Sequence, residues 1–180
     1  MKKIESVCVF CGASNAVAPD YLKEAYRLGE MIAERKLKLV FGAGDCGLMG
    51  SVANGALSRG GHVSGVFPRI LDRHEAEHKT LSELLIVDDM HARKLSMFEQ
   101  ADAFIILPGG FGTMDETFEV ITWKQLHTHT KPIIFYNYKN FWRHFISLTE
   151  QFVNEGFANP RSRSLYDFAS TLDAIFEQLS

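Results

Sequence analysis

The chain has 180 residues, 46% hydrophobic and 23% charged, with 19 basic against 22 acidic side chains and a formal net charge of −3. These values exclude general disorder and suit one globular domain, residues 1–180, with a single sizeable core. They also exclude a basic field for nucleic acid, so an anionic ligand has to be held by local groups.

Met1-Lys2-Lys3 runs straight into a strand-like segment without the apolar stretch of a signal peptide, and nowhere do about 18 apolar residues follow one another. Cys8, Cys11 and Cys46 are an odd number and too few for a disulfide framework. A soluble cytoplasmic protein, with neither membrane nor nucleic acid as partner, is expected.

Apolar runs rich in Val, Ile and Phe predict strands over Ser6–Phe10, Leu37–Phe41, His62–Phe67, Leu84–Val87, Ala103–Leu107 and Ile133–Tyr136, with a weaker one over Leu165–Phe168. The runs are continuous, as in strands covered on both faces. Between the first two, Leu22, Ala25, Tyr26, Gly29, Ile32 and Ala33 recur at helical spacing from about Pro19 onward. Phe141, Phe145, Leu148 and Phe152 form a second stripe ended by Gly156, and Ser170 with Asp173 resembles a capping box opening a last helix. Strands alternating with helices predict an α/β fold, a doubly wound parallel sheet whose ligands bind in loops at the carboxyl ends of the strands.

Seven of the fourteen glycines lie in two such loops, Gly42 to Gly50 and Gly109 to Gly112. Pro108-Gly109-Gly110-Phe111-Gly112-Thr113-Met114-Asp115-Glu116 directly follows a strand and opens a helix. Its glycines let backbone N–H groups approach a ligand, and the helix start favours an anion such as phosphate. Thr113 adds a hydroxyl. A tight turn alone needs less than three glycines and a threonine.

Glu116, about one turn into that helix, could simply complement the dipole. Beside a phosphate site, however, a carboxylate can also stabilise an oxocarbenium-like transition state or activate water. Glu119 and Thr122 continue at three-residue intervals toward the same ligand. In the preceding helix, Met90, Arg93, Lys94 and Met97 share a face, and Arg93 can grip an anion through two parallel hydrogen bonds where Lys94 cannot. The alternative for this segment is a solvated basic turn beside Asp88 and Asp89.

Three other patterns point elsewhere. Gly42-Ala43-Gly44-Asp45-Cys46-Gly47 fits the dinucleotide motif G-x-G-x-x-G, but Phe67-Pro68-Arg69 stands where the ribose-binding acid is expected. His74-Glu75-Ala76-Glu77-His78 fits H-E-x-x-H without the apolar helix stripe or third ligand of a zinc hydrolase, so no metal site is expected. Cys8-Val9-Phe10-Cys11 lies inside a strand, where residues three apart face opposite sides.

Taken together, Cys11-Gly12-Ala13-Ser14, Gly44 through Gly50, Met90-His91-Ala92-Arg93-Lys94, the Pro108 to Glu116 run and Ile121-Thr122-Trp123 resemble the Lonely Guy family of phosphoribohydrolases over residues 5–157. The resemblance implies a Rossmann-like, usually dimeric protein with sites near the subunit interface. It also implies cleavage, without a cofactor, of the N-glycosidic bond of AMP or N6-substituted cytokinin nucleoside 5′-monophosphates to free base and ribose 5-phosphate. By motif match, Arg93 and Glu116 would be catalytic and Gly110, Phe111, Gly112 and Thr113 would bind phosphate. Lys94 and Thr122 would touch the ligand, and Glu75 would bind substrate, a better account of H-E-x-x-H than zinc.

Members of the family have carried a lysine decarboxylase label, yet no lysine here can be assigned as a pyridoxal-phosphate anchor. The sequence departs from the family pattern at Ala16 and Ala43, where glycines are usual, and in the Asp45 that follows Gly44, which bears on substrate preference more than on reaction type. The alternative from another class is a nucleotide-binding sensor or carrier that uses the same loops without chemistry.

Overall fold

The structure, a computed structural model, describes residues 3–71, 78 and 80–179. Seven strands among them form one parallel sheet in the order β4-β3-β2-β1-β5-β6-β7. They are β1 (Ser6–Phe10), β2 (Lys38–Phe41), β3 (Val63–Pro68), β4 (Glu83–Val87), β5 (Ala103–Ile106), β6 (Ile133–Tyr136) and β7 (Asp167–Ala169). The helices are α1 (Pro19–Glu34), α2 (Gly47–Ser58), α3 (Met90–Gln100), α4 (Phe111–Gln125), α5 (Arg143–Asn154) and α6 (Leu172–Gln178). This is the doubly wound α/β fold expected, and strand order reverses between β1 and β5, where such sheets bind ligands.

Alternation along β1 divides the core in two. Val7 and Val9 join Leu28 and Ile32 of α1, Val52 and Ala53 of α2 and Ile175 of α6 on one face. Cys8 and Phe10 join Met97 of α3, Val120 of α4 and Phe145 of α5 on the other. Cys8 and Cys11 therefore sit in different clusters, with Cys11 one residue past the strand, and all three cysteines are free thiols. Burial pushes the Cys8 and Cys11 thiols well up from their ordinary pKa, Glu116 adding to the shift and Arg93 opposing it, so both stay protonated.

Three expectations need correction. The buried face of α1 contains Leu28 and Met31, while Tyr26 is exposed, because α1 packs against α2 as well as the sheet. At that crossing, a Cβ on Gly29 would overlap the Val52 carbonyl oxygen and one on Gly55 would overlap that of Tyr26. The last helix is capped by Thr171, whose hydroxyl accepts the Ala174 N–H, rather than by Ser170. Finally, β4 is an edge strand that leaves Leu84, Leu85 and Ile86 exposed, so its apolar run does not mark burial on both faces.

Candidate active site

At the carboxyl ends of β1 and β5 lies a cavity of about 570 Å³, within the usual range for a small-molecule site. Its walls include Gly12 and Ser14 after β1, Leu48 and Met49 at the start of α2, Met90 and Arg93 of α3, and Pro108 to Gly110 with Gly112, Thr113 and Glu116. Tyr21 and Phe141 close one side.

Backbone contacts assemble these loops. Gly12 donates its N–H to the Pro108 carbonyl at 3.1 Å, and Leu48 donates to the Gly12 carbonyl at 2.9 Å. Gly47 donates to Asn15 Oδ1 at 2.7 Å. Gly47 takes φ +60°, and a Cβ there would come within 2.5 Å of the Ala13 carbonyl carbon. Glycine is thus required on both conformational and steric grounds.

The Gly109 loop ends in α4 with Gly110 as its N-cap and no side-chain cap, which leaves first-turn amides for an anion. Thr113 is buried below the loop, and a Cβ on Gly109 would overlap its Oγ1. Around Gly110 and Gly112 a Cβ would meet no described atom within 4 Å, and neither residue has positive φ. The described chain gives no packing reason for glycine at those two positions, whereas a ligand lying against the backbone would. Phe111 between them is 97% exposed.

Arg93 and Glu116 meet in the cavity wall. Arg93 Nη1 donates to Glu116 Oε1 at 2.7 Å, Nε donates to the Val66 carbonyl and Nη2 to the Gly42 carbonyl, each at 3.3 Å. A Cβ on Gly42 would overlap Nη2, so glycine admits the guanidinium. Burial pushes the Glu116 pKa above its ordinary value, and the neighbouring Arg93 charge limits that rise. The arrangement is a desolvated carboxylate held at a fixed position beside a helix start suited to phosphate.

Lys94 is committed elsewhere. Its ammonium pairs with Asp115 and with Glu119, both at 3.2 Å. Burial would lower its pKa, but these carboxylates outweigh that effect and raise it. Such an ammonium stays protonated, which disfavours imine formation through Lys94. Thr122 does not line the main cavity; it is exposed beside a separate one between α4 and α5. In this subunit the helix turns Glu119 to Lys94 and Thr122 to α5. Glu75, with most of the H-E-x-x-H stretch, lies outside the described residues.

Sequence reasoning misses Tyr21 and Phe141 as cavity walls and reaches Leu48 and Met49 only as part of the Gly42 to Gly50 segment. Helical spacing assigns Phe141 to a helix stripe, but the residue precedes α5 just beyond the carboxyl end of β6; that location is the signal that could have found it. The two carbonyls that hold Arg93 carry no side-chain signal at all. Of the two departures from family pattern, Ala43 takes φ +62° where glycine would be unstrained, whereas Ala16 is not among the positive-φ residues.

Known proteins resemble this chain in sequence and in fold. A family model described as "Possible lysine decarboxylase" matches residues 49–179. The chain is 41% identical over 177 residues to cytokinin riboside 5′-monophosphate phosphoribohydrolase LOG7 of Arabidopsis thaliana, covering 98% of this chain and 82% of that protein. It is 39% identical to the probable cytokinin riboside 5′-monophosphate phosphoribohydrolase LOG4 of Oryza sativa subsp. japonica, with 98% and 77% covered. Among solved structures, the Moco carrier protein of Chlamydomonas reinhardtii superposes with a TM-score of 0.73 at 20% identity over 98% of each chain, a likeness of fold alone.

Proposed function

The chain belongs to the Lonely Guy family of phosphoribohydrolases, and we propose that it hydrolyses the N-glycosidic bond of AMP or of N6-substituted, cytokinin-type nucleoside 5′-monophosphates. The products are free base and ribose 5-phosphate. The observation that carries this reading is the buried Arg93–Glu116 pair in the wall of a cavity bordered by the uncapped start of α4.

In this reading the amides and hydroxyl of Gly110 to Thr113 hold the 5′-phosphate, placing the sugar over the carboxylate. As the bond from C1′ to the base nitrogen lengthens, positive charge develops on the ribose, and Glu116 stabilises it and orients a water. The water oxygen bonds to C1′, one of its protons leaves with the base, and no external oxidant or reductant is needed. Arg93 fixes the carboxylate and orients the sugar phosphate; its planar fork and two backbone acceptors keep it from swinging away.

A homodimer belongs to the same proposal. It is supported by large apolar side chains left exposed on one edge and face: Leu84, Leu85 and Ile86 of β4, Leu95 of α3, and Phe111 and Phe118 of α4. A cytoplasmic location is supported by the three unpaired thiols. Incubation with AMP and with N6-isopentenyl-AMP, followed by chromatography of released base, tests the activity. Tight nucleotide binding with no base released after prolonged incubation would instead favour a carrier.

A further inference from the structure

His78 closes the H-E-x-x-H stretch and has no part in the proposed chemistry, yet it is buried, with 5% of its surface exposed, next to the second glycine loop. Its N–H donates to the Ala43 carbonyl at 2.9 Å. Nε2 of its ring lies 3.1 Å from Asn54 Oδ1 on α2 and 3.7 Å from Asp45 Oδ1. An amide oxygen can only accept, so Nε2 carries the proton, while Nδ1 faces the Thr80 N–H at 3.5 Å. The ring also stands edge-on to Phe41, 79° between planes. His78 thereby bridges the 42–46 turn through its backbone N–H and α2 and the end of β2 through its ring, so the ring anchors the residue whose N–H holds the Ala43 carbonyl.

The turn needs such a clamp. Ala43 is fully buried with φ +62°, a left-handed conformation that costs an alanine about 1 kcal/mol or more. Its methyl packs against Gly65, where an added Cβ would come within 2.7 Å. Gly42, one residue earlier, presents the carbonyl that holds Arg93 Nη2. If the 43–45 backbone relaxed, the peptide carrying that carbonyl would rotate and Arg93 would lose one of its two backbone anchors.

We propose that His78 is a positioning residue, clamping the 42–46 turn so that the Gly42 carbonyl aims Arg93 at Glu116. The proposal rests on the reading of Arg93 and Glu116 as the reacting pair, and its test separates the two. His78→Ala is expected to lower kcat on AMP by about 10- to 100-fold with KM nearly unchanged, because misplacement of a catalytic group is felt in the transition state. Hydrogen exchange of the Arg93 Nε–H, followed by ¹⁵N NMR, should accelerate in the same variant. Asn54→Ala should move both readouts in the same direction, and Asn54→Asp, which keeps an acceptor for Nε2, should restore most of both.

A folded His78→Ala protein with unchanged kcat and unchanged Arg93 exchange would overturn the proposal. If His78→Ala does not fold, Asn54→Ala serves in its place, and both readouts unmoved in that variant would overturn the proposal equally. Should the wild type release no base from either nucleotide, the functional reading fails, and Arg93 exchange in the variants alone decides the role of His78.

Discussion

Arg93 Nη1 lies 2.7 Å from Glu116 Oε1, joining α3 to α4 with less than a tenth of either side chain exposed. The pair sets a pH dependence whose sign can be worked out. Burial raises the Glu116 pKa in the folded protein, so the carboxyl contributes stability below its ordinary pKa and loses it as pH rises through the folded value. Catalysis needs the ionised form, so activity should climb over the window in which that stability falls. The acid limb of kcat/KM for AMP is expected above the ordinary carboxylate range. Glu116→Gln should lower kcat by about 10²- to 10³-fold and remove that limb. A limb that persists in Glu116→Gln would mean that another group titrates.

The three glycines of the α4 loop should respond differently to the same substitution. At Gly112 an alanine has open space and a helical position, so stability should stay level or rise by up to about 1 kcal/mol. At Gly109 the new methyl would overlap Thr113 Oγ1 in a buried setting, costing about 1 to 3 kcal/mol. Gly110→Ala and Gly112→Ala should nevertheless raise KM for AMP, because the methyl occupies space reserved for phosphate. Urea unfolding and steady-state kinetics on the same preparations separate the effects. A normal KM in both would remove the phosphate from this loop.

How much is legible in the sequence follows from which interactions are local. The strands show as runs of buried apolar residues, and the Gly109 to Glu116 segment shows as a composition that no turn requires. Arg93 and Glu116 can each be singled out, but their contact depends on two helices separated in sequence meeting over β1. The place of Thr122 beside α5 is not legible, because helical periodicity gives the face and not its neighbour. The α1 face differs for the reason that Gly29 and Gly55 allow two helices to touch backbone to backbone, turning Leu28 and Met31 inward. The edge position of β4 is set by strand order, which a hydrophobic run cannot reveal.

Charge placed on the exposed apolar face tests the proposed dimer. Leu95 is 48% exposed on α3 and Phe118 is 36% exposed on α4, so a lone subunit should tolerate glutamate at either position. Covering such side chains in an interface contributes about 1.5 to 3 kcal/mol each, so Leu95→Glu or Phe118→Glu should weaken association by about 10- to 100-fold. Sedimentation velocity would show the wild type as a dimer and the variants shifted toward monomer with unchanged circular dichroism. A monomeric wild type at micromolar concentration would dispose of the proposal.

Gly29→Ala and Gly55→Ala set two magnitudes against each other. Helix propensity alone favours alanine by about 1 kcal/mol at each interior position. Against it, either new methyl would overlap a backbone carbonyl oxygen of the facing helix, Val52 for Gly29 and Tyr26 for Gly55. A carbonyl inside a hydrogen-bonded helix cannot rotate aside as a side-chain tip can, so the helices have to separate, and overpacking of this kind costs about 1 to 3 kcal/mol. The steric cost outweighs propensity, and both variants should unfold at lower urea than the wild type. Separation would also pull α2 from the Gly12 carbonyl that holds Leu48, so the loss should extend to nucleotide affinity. A Gly29→Ala protein more stable than wild type would show that the α1–α2 crossing is looser than the structure has it.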